Sequence, residues 1–397
     1  MIKNKSVVLG VTGGVAAYKA VDLASRLARQ GARVNVIMTR SAQEFVGPMS
    51  FRAITGQPVV TDMFDVNSEF SAAHIALAAR ADVVVIAPAT ANIMAKLACG
   101  IADDMLSTTV LATRAPVVIA PAMHANMYEN EVTQENVAKL KARGFTFVGP
   151  VYGLLTGDAK GLGRFADVED IIGTVRQVLG RSADLAGRRI VVSAGGTREP
   201  IDPARHMSNR SSGKMGHAVA EAARDRGAQV VLVTAPTALR PPAGVEVVQV
   251  ETTIEMRDAV VQAAATADAL IMAAAPADFR PASRAESKIK RTSERITLEL
   301  VENPDILAEV TANCIRVGFA AESDHIVENA AKKAKKKNLD LIAANDITAT
   351  DSGFDVDTNK VTLIDREGKV EELPLLSKYE VANRILDRVA ALLTQQA

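Results

Sequence analysis

Short apolar runs, each closed by a glycine- or proline-bearing break and followed by an amphipathic stretch, recur along the whole chain. The first run opens into Leu9-Gly10-Val11-Thr12-Gly13-Gly14. From Ala16 to Arg29, the residues Ala16, Ala20, Leu23, Ala24 and Leu27 then fall on one helical stripe. That pattern predicts a strand, a turn and a helix. Gln30-Gly31-Ala32-Arg33 ends the stripe, and Val34–Met38 reads as the next strand. VVVIAPAT (83–90) and PVVIAPAM (116–123) are almost wholly apolar, as strands covered by helices on both faces must be. Phe145–Val148 predicts a further strand and Val168–Leu179 a closing helix. The device is then repeated: Ile190–Val192 runs into Ser-Ala-Gly-Gly, a helical pattern starts at Gly216, Arg226-Gly227-Ala228-Gln229 ends it, and Val230–Val233 follows. Val245–Val250, Ala269–Ala273, Ile315–Phe319 and Leu339–Ala343 predict more strands. Val361–Ile364 and Val370–Leu373, around Asp365-Arg366-Glu367-Gly368, predict a hairpin capping a sheet edge before a last helix. The class is α/β, with two open, mostly parallel-sheet domains. We place them at 1–180 and 188–397, with the polar, glycine-bounded 181–187 as linker.

Composition narrows the partners. A chain of 397 residues with 48% hydrophobic and 23% charged side chains is ordinary globular material. Forty-six basic against 46 acidic residues leave no net field to recruit nucleic acid or an anionic membrane. Two cysteines, Cys99 and Cys314, and five scattered histidines make neither a disulfide framework nor a four-ligand zinc site. No run of about eighteen apolar residues is present, and the N-terminus enters a strand at once. A cytoplasmic protein with small-molecule partners is expected, with no nucleic acid and no membrane.

The densest candidate chemistry lies between Arg188 and Gly216. Gly195 and Gly196 lack the side chains that would keep an anion from backbone N–H groups. Ser211, Ser212 and Lys214 add donors just ahead of a helix start, so the natural guest is a phosphate. It is not a P-loop, because Ser208 stands where G-x-x-x-x-G-K-[ST] needs its first glycine and Met215 follows Lys214. The dinucleotide fingerprint G-x-G-x-x-G is also absent, here and at Gly10, Gly13 and Gly14. The run KKAKKKN (332–338) has no interleaved aromatics and reads ordinarily as a solvated helix face, although Lys333 and Lys337, four apart, share one side of it.

GGTREPIDP (195–203) followed by SNRSSGKMG (208–216) closely resembles the CTP-dependent phosphopantothenate–cysteine ligases. The resemblance implies a Rossmann-like domain in which 4'-phosphopantothenate attacks the α-phosphorus of CTP and the amine of cysteine intercepts the acyl-cytidylate. It places Asn209 at the intermediate, with Ser211, Ser212, Gly213 and Lys214 on the substrate. Asp278, in AAAPADF, becomes a nucleotide-site carboxylate approaching Mg2+. Met272, Ala273, Ala274, Pro304, Asp305, Ile306, Leu307, Phe319, Lys333 and Lys337 become CTP contacts. Lys288, first of Lys-Ile-Lys-Arg, touches CTP and serves the step beyond the acyl-cytidylate. Pro276 stands where the family usually has valine.

The first half is similar to the FMN-dependent phosphopantothenoylcysteine decarboxylases, which are flavodoxin-like. The similarity rests on Thr12-Gly13-Gly14-Val15-Ala16-Ala17-Tyr18-Lys19, His74, Pro88-Ala89-Thr90-Ala91-Asn92, Ala102-Asp103-Asp104 and Pro121-Ala122-Met123. It implies FMN at the strand ends, against Gly13, Gly14, Thr39, Thr90, Ser107 and Met123, with His74 as general base and 4'-phosphopantetheine as product. Two positions depart from it. His124 replaces an asparagine that helps bind the substrate carboxylate, and Thr156 replaces the acidic thiol of a substrate clamp. The paired change resembles a subfamily variant, with Thr156 positioning substrate or a proton-relaying water. The alternative is a ligase whose N-terminal domain is a non-catalytic flavin-binding, assembly or regulatory module. The family also implies a homododecamer, built from trimers of the first domain and dimers of the second.

Overall fold

The computed structural model describes residues 2–64, 73–155, 160–291, 297–322, 325–346 and 356–396. The chain divides into two compact units, Met1–Arg181 and Ser182–Ala397, each built on its own sheet.

In the first unit β1 (Ser6–Val11), β2 (Arg33–Met38), β3 (Val59–Val60), β4 (Val83–Ala89), β5 (Val117–Pro121) and β6 (Thr146–Phe147) form a parallel sheet in the order β3-β2-β1-β4-β5-β6. Without the two-residue β3, this is the flavodoxin order. Every residue of β4 and β5 is buried, which is why both read as unbroken apolar runs. On one face pack Leu9, Leu23, Phe51 and Ile172; on the other lie Ile86, Ile93, Leu106 and Leu140. The helix Ala17–Arg29 buries Ala17, Ala20, Leu23, Ala24 and Leu27, with Ala16 one step outside as its N-cap. The strand expected at 145–148 shrinks to β6, because the Phe145 N–H turns back to the Leu140 carbonyl of the preceding helix. A hairpin of β7 (Val151–Leu154) and β8 (Lys160–Arg164) follows.

The second unit carries β9 (Arg189–Ala194), β10 (Arg198–Asp202), β11 (Arg205–Ser208), β12 (Gln229–Thr234), β13 (Glu246–Gln249), β14 (Ala269–Met272), β15 (Phe279–Pro281), β16 (Leu300–Glu302), β17 (Ile315–Glu322), β18 (Leu341–Asp346), β19 (Thr358–Asn359), β20 (Val361–Asp365), β21 (Val370–Glu372) and β22 (Leu376–Ser377). Its main sheet runs β13-β12-β9-β14-β17-β18-β20-β21. The first six strands are parallel in the Rossmann order, and the β20–β21 hairpin closes the edge by pairing antiparallel to β18, as its alternation predicted. β18 starts two residues later than the apolar run, since the Leu339 N–H is taken by the Ala334 carbonyl at the end of the helix Ile326–Lys336.

The segment after Gly196 forms the hairpin β10–β11, with Pro200 inside it. A proline weakens a strand assignment because it cannot donate, but this two-stranded ribbon has open edges on which the missing N–H costs nothing. Its turn is locked by Asp202, whose carboxylate accepts from the Ala204 N–H at 2.7 Å, Arg205 Nη1 at 3.0 Å and the distant Ile289 N–H at 3.1 Å.

Candidate functional site

In the second unit the strand order reverses at β9, and the crevice at such a switch point is where open α/β sheets bind ligands. A cavity of about 670 Å3 opens there. Its walls are the turn 209–215, the segment 272–279 that follows β14, residues 302–307 and the middle of β17. Gly213, at φ +76°, is the N-cap of the helix Lys214–Asp225, and no side chain caps that helix, so its first-turn N–H groups are left for an anion. Gly216 lets the helix start lie directly on β9: a Cβ there would stand 2.6 Å from both Ala194 Cβ and the Ser193 carbonyl oxygen. The other end of the helix is pinned by Asp225, which takes the Arg224 guanidinium on one oxygen and the Tyr379 hydroxyl, at 2.7 Å, on the other.

The wall 274–278 is held at nearly every residue. Ala274 N–H donates to Ser193 Oγ at 3.1 Å, Ala275 N–H to the Gly195 carbonyl at 2.8 Å, and Ala277 N–H to Thr197 Oγ1 at 2.9 Å. Asn209 Nδ2 donates to the Pro276 carbonyl and Asn303 Nδ2 to that of Ala277, both at 2.9 Å. Behind this wall, buried Glu199 accepts from the N–H and hydroxyl of Thr253 at 2.9 and 2.8 Å, and Thr253 Oγ1 lies 2.9 Å from Thr197 Oγ1. The TREP motif therefore supplies a support as well as a turn.

Around the cavity the structure gathers Asn209, Ser211, Ser212, Gly213, Lys214, Met272, Ala273, Ala274, Asp278, Pro304, Asp305, Ile306, Leu307, Phe319, Lys333 and Lys337. Lys288 is not in the wall; it is exposed, and its neighbour Ile289 is tied to Asp202 beside the β10–β11 hairpin. Lys214 Nζ meets Asp357 Oδ1 at 2.7 Å, and that hydrogen bond holds the Asp357 carboxyl below its ordinary range. Lys337 Nζ meets Asp305 Oδ2 at 2.9 Å. Such partly exposed pairs are worth little, so both lysines are readily given up to a phosphate. Sequence reasoning missed Asn345, Asn359 and Lys378, which also line the cavity. Nothing in their local pattern announces them, because they come from segments that only the closed sheet brings together.

In the first unit the C-terminal ends of β1, β2, β4 and β5 carry Gly13 and Gly14, Thr39, Thr90 and Met123 to one edge of the sheet. Thr12 ties two of these ends together, donating to the Pro88 carbonyl at 2.7 Å and accepting from the Thr90 N–H at 3.1 Å. Gly13 is packed on Ser41, whereas a Cβ on Gly14 would meet nothing within 4 Å, and the helix Ala17–Arg29 has no side-chain cap. Thr39 and Thr90 each accept one backbone N–H as N-caps, which leaves their hydroxyl protons for a ligand. Ser107 is buried in a capping box, its hydroxyl donating to Asp104 Oδ1 at 2.9 Å.

His74 sits in the first turn of the helix Ala73–Arg80, partly buried. His124 is the N-cap of the helix Ala125–Glu129, its Nδ1 accepting from the Asn126 N–H at 3.3 Å, so in the neutral ring Nε2 carries the proton. Met123 N–H donates to the Gly163 carbonyl at 3.0 Å, and Gly161 and Gly163 leave no room for side chains against Ala125 and Met123. The β7–β8 hairpin is thereby clamped over the β5 end, while Thr156, between its strands, lies outside the described residues.

Two parallel α/β units, each with glycine turns and an uncapped helix start at its strand ends, define a two-part flavoprotein-type chain. Residues 1–180 match the Flavoprotein family model, and residues 185–393 match the DNA/pantothenate metabolism flavoprotein C-terminal domain. A relative from Bacillus subtilis is 44% identical over 401 residues, covering 100% of this chain and 99% of its own. One from Vibrio vulnificus is 42% identical over 398 residues, with 99% of each covered. One from Mycobacterium tuberculosis is 44% identical over 409 residues, with 98% and 97% covered. All three are named coenzyme A biosynthesis bifunctional protein CoaBC. The chain belongs to this family of bifunctional coenzyme A biosynthesis proteins.

Proposed function

We propose that residues 188–397 couple 4'-phosphopantothenate to cysteine with CTP, and that residues 1–180 decarboxylate the resulting phosphopantothenoylcysteine to 4'-phosphopantetheine with FMN, across the linker 181–187. The observation that carries the reading is the gathering of the ligase motif residues other than Lys288, from Asn209 to Lys337, around one cavity at the switch point. In the first half-reaction the substrate carboxylate attacks the α-phosphorus and pyrophosphate leaves. The uncapped helix start and Lys214, Lys333 and Lys337 neutralise the triphosphate charge as it shifts. The cysteine amine then attacks the acyl carbon and CMP departs, with Lys288 serving this step. Among the described residues no group of three metal-ligating side chains occurs. That suits an Mg2+ carried in by the triphosphate and met by Asp278 alone.

The residues of the first unit fit FMN. Gly14 offers an open cradle, the uncapped helix start suits its phosphate, and Thr39 and Thr90 have protons to donate. Bound FMN supplies the two-electron redox chemistry that turns a cysteine-derived thiol into an electron sink for loss of carbon dioxide. His74 acts as the base. His124 presents Nε2–H as a donor to the substrate carboxylate, doing the work of an asparagine amide, and Thr156 positions substrate or a relaying water. The reading includes a cytoplasmic homododecamer of N-terminal trimers and C-terminal dimers. Among the described residues no helix is long and apolar enough to cross a membrane, and Tyr18, Met49 and Tyr152 offer exposed apolar surface for self-association.

Incubation with phosphopantothenate, cysteine, CTP and MgCl2, followed by mass spectrometry, reads both sites at once. Phosphopantetheine, CMP and pyrophosphate are expected. Accumulation of phosphopantothenoylcysteine would reduce the protein to a ligase, and no consumption of CTP would remove the ligase assignment.

A further inference from the structure

Asp278 is exposed and lines the cavity, so the main chain just before it decides where its carboxylate stands. Between Ala275 and Asp278 the only N–H is that of Ala277, since Pro276 has none. Ala277 is held on both sides: its N–H donates to Thr197 Oγ1 and its carbonyl accepts from Asn303 Nδ2, each at 2.9 Å. The Asn303 N–H then donates to the Asp278 carbonyl at 2.8 Å.

The direction of every hydroxyl behind Ala277 follows from Glu199. The Thr253 N–H can only donate, and it donates to Glu199 Oε1 at 2.9 Å; that oxygen is therefore an acceptor and also takes the Thr253 hydroxyl proton at 2.8 Å. With its one proton spent, Thr253 Oγ1 has only lone pairs to offer Thr197 Oγ1, 2.9 Å away, so Thr197 is the donor of that pair. Thr197 then presents a lone pair to the Ala277 N–H. The links all point one way, from Ala277 through Thr197 and Thr253 to Glu199, and bonds aligned in this manner polarise one another. The Ala277 carbonyl, 3.4 Å from Thr253 Oγ1, is a competing acceptor that takes the proton once the carboxylate is gone.

Glu199, Thr197 and Thr253 are each no more than 1% exposed, so none of them touches a bound nucleotide. Glu199 also stands at the start of the helix Thr253–Ala264, where negative charge is favoured. Thr252 and Glu255 already form a capping box there, and a cap alone does not call for a chain that runs on through Thr197 to the cavity wall.

We propose that Glu199 is a positioning residue for the ligase site: through Thr253 and Thr197 it orders Ala277 and so places the Asp278 carboxylate for the nucleotide. The inference rests on the ligase reading of this cavity and adds to it a residue that acts from behind the wall.

The test follows CTP-dependent ligation by the full-length protein as pyrophosphate release, with CTP and Mg2+ varied in turn. Glu199→Leu keeps the bulk but removes the acceptor. It should raise the KM for CTP and the half-saturating Mg2+ concentration by about tenfold each, the worth of one buried hydrogen bond. Glu199→Gln keeps an oxygen for both donors of Thr253 and should stay within about threefold of wild type. In the protein without ligands, hydrogen exchange at the Ala277 amide should quicken in the leucine variant and not in the glutamine variant. Should Glu199→Leu not fold, Thr197→Val leaves the Glu199 contacts with Thr253 in place and orphans only the Ala277 N–H. It should show the same rise, and Thr197→Ser, which restores the hydroxyl, should not. A purely structural role would lower the active fraction, and with it the rate at saturation, but leave both half-saturating concentrations and the Ala277 exchange unchanged. That outcome, or a glutamine variant as impaired as the leucine one, would overturn the proposal while the ligase reading stands. A wild-type protein that consumes no CTP would overturn both.

Discussion

Gly216→Ala sets two effects of opposite sign against each other. Helix propensity alone favours alanine over glycine by about 0.8–1 kcal/mol. Against this, the new Cβ would stand 2.6 Å from Ala194 Cβ and Ser193 O and 2.9 Å from Ala194 Cα. Carbon pairs settle at about 3.5–4.0 Å, so the helix start must lift off β9 by roughly 1 Å. Two of those three neighbours are main chain of a central strand, which cannot yield as a flexible side chain would. Overpacking of this kind costs about 1–3 kcal/mol, enough to outweigh the propensity gain. The larger consequence is functional. The helix start carries the uncapped N–H groups beside the nucleotide, and a misplacement of about 1 Å is worth on the order of 100-fold in rate. We expect kcat/KM for CTP-dependent ligation, followed by pyrophosphate release, to fall by about that factor. Decarboxylation of supplied phosphopantothenoylcysteine should be unchanged, and urea unfolding should show a modest loss. Ligation within about threefold of wild type would mean that the N–H groups do not hold the transition state.

Lys288→Gln should leave the fold intact, lower product formation by about 100-fold or more and let acyl-cytidylate accumulate in a quenched-flow mass-spectrometric assay. Unchanged product formation removes Lys288 from the mechanism. His74→Asn should retain the yellow cofactor and ligation while carbon dioxide release is lost; equal collapse of both reactions in a soluble variant would refute the two-site assignment. His217 predicts a pH effect on stability. Burial depresses its folded pKa, so on acidification the unfolded chain binds the proton first. Wild type should therefore lose stability from about pH 6.5 downward until the folded ring protonates. His217→Phe should lack this component when urea midpoints are compared on either side of that range, and identical pH dependence would show that the ring is not held neutral.

How legible the molecule was depends on how local each feature is. β4 and β5, and the middles of β9 and β12, announce themselves because burial on both faces makes them apolar, and Val168–Leu179 is found at its predicted bounds because its stripe and flanks agree. The hairpins β7–β8, β10–β11 and β15–β16 are short and rich in glycine or proline, and long-range ties such as that of Asp202 to Ile289 hold them. No window of sequence contains such a tie. The glycine turns were readable as ligand loops because glycine is the signal itself. Glu199 was not, since its partner Thr253 is remote in sequence. His217 carries no motif at all; its unpaired nitrogen is a product of packing.

Both sheets end in very short strands: Val59–Val60 and Thr146–Phe147 in the first unit, Glu246–Gln249 and Val370–Glu372 in the second. A long apolar strand at an edge would be a template for pairing with another chain, and these stubs, the last bearing Glu371 and Glu372, deny it length. The protection is borrowed from the C-terminal hairpin. A chain cut before Val361 would expose the edge of Leu341–Asp346, whose first four residues are apolar, and would also remove the last helix, Lys378–Gln396, with its buried face and Tyr379, so it should be lost to aggregation.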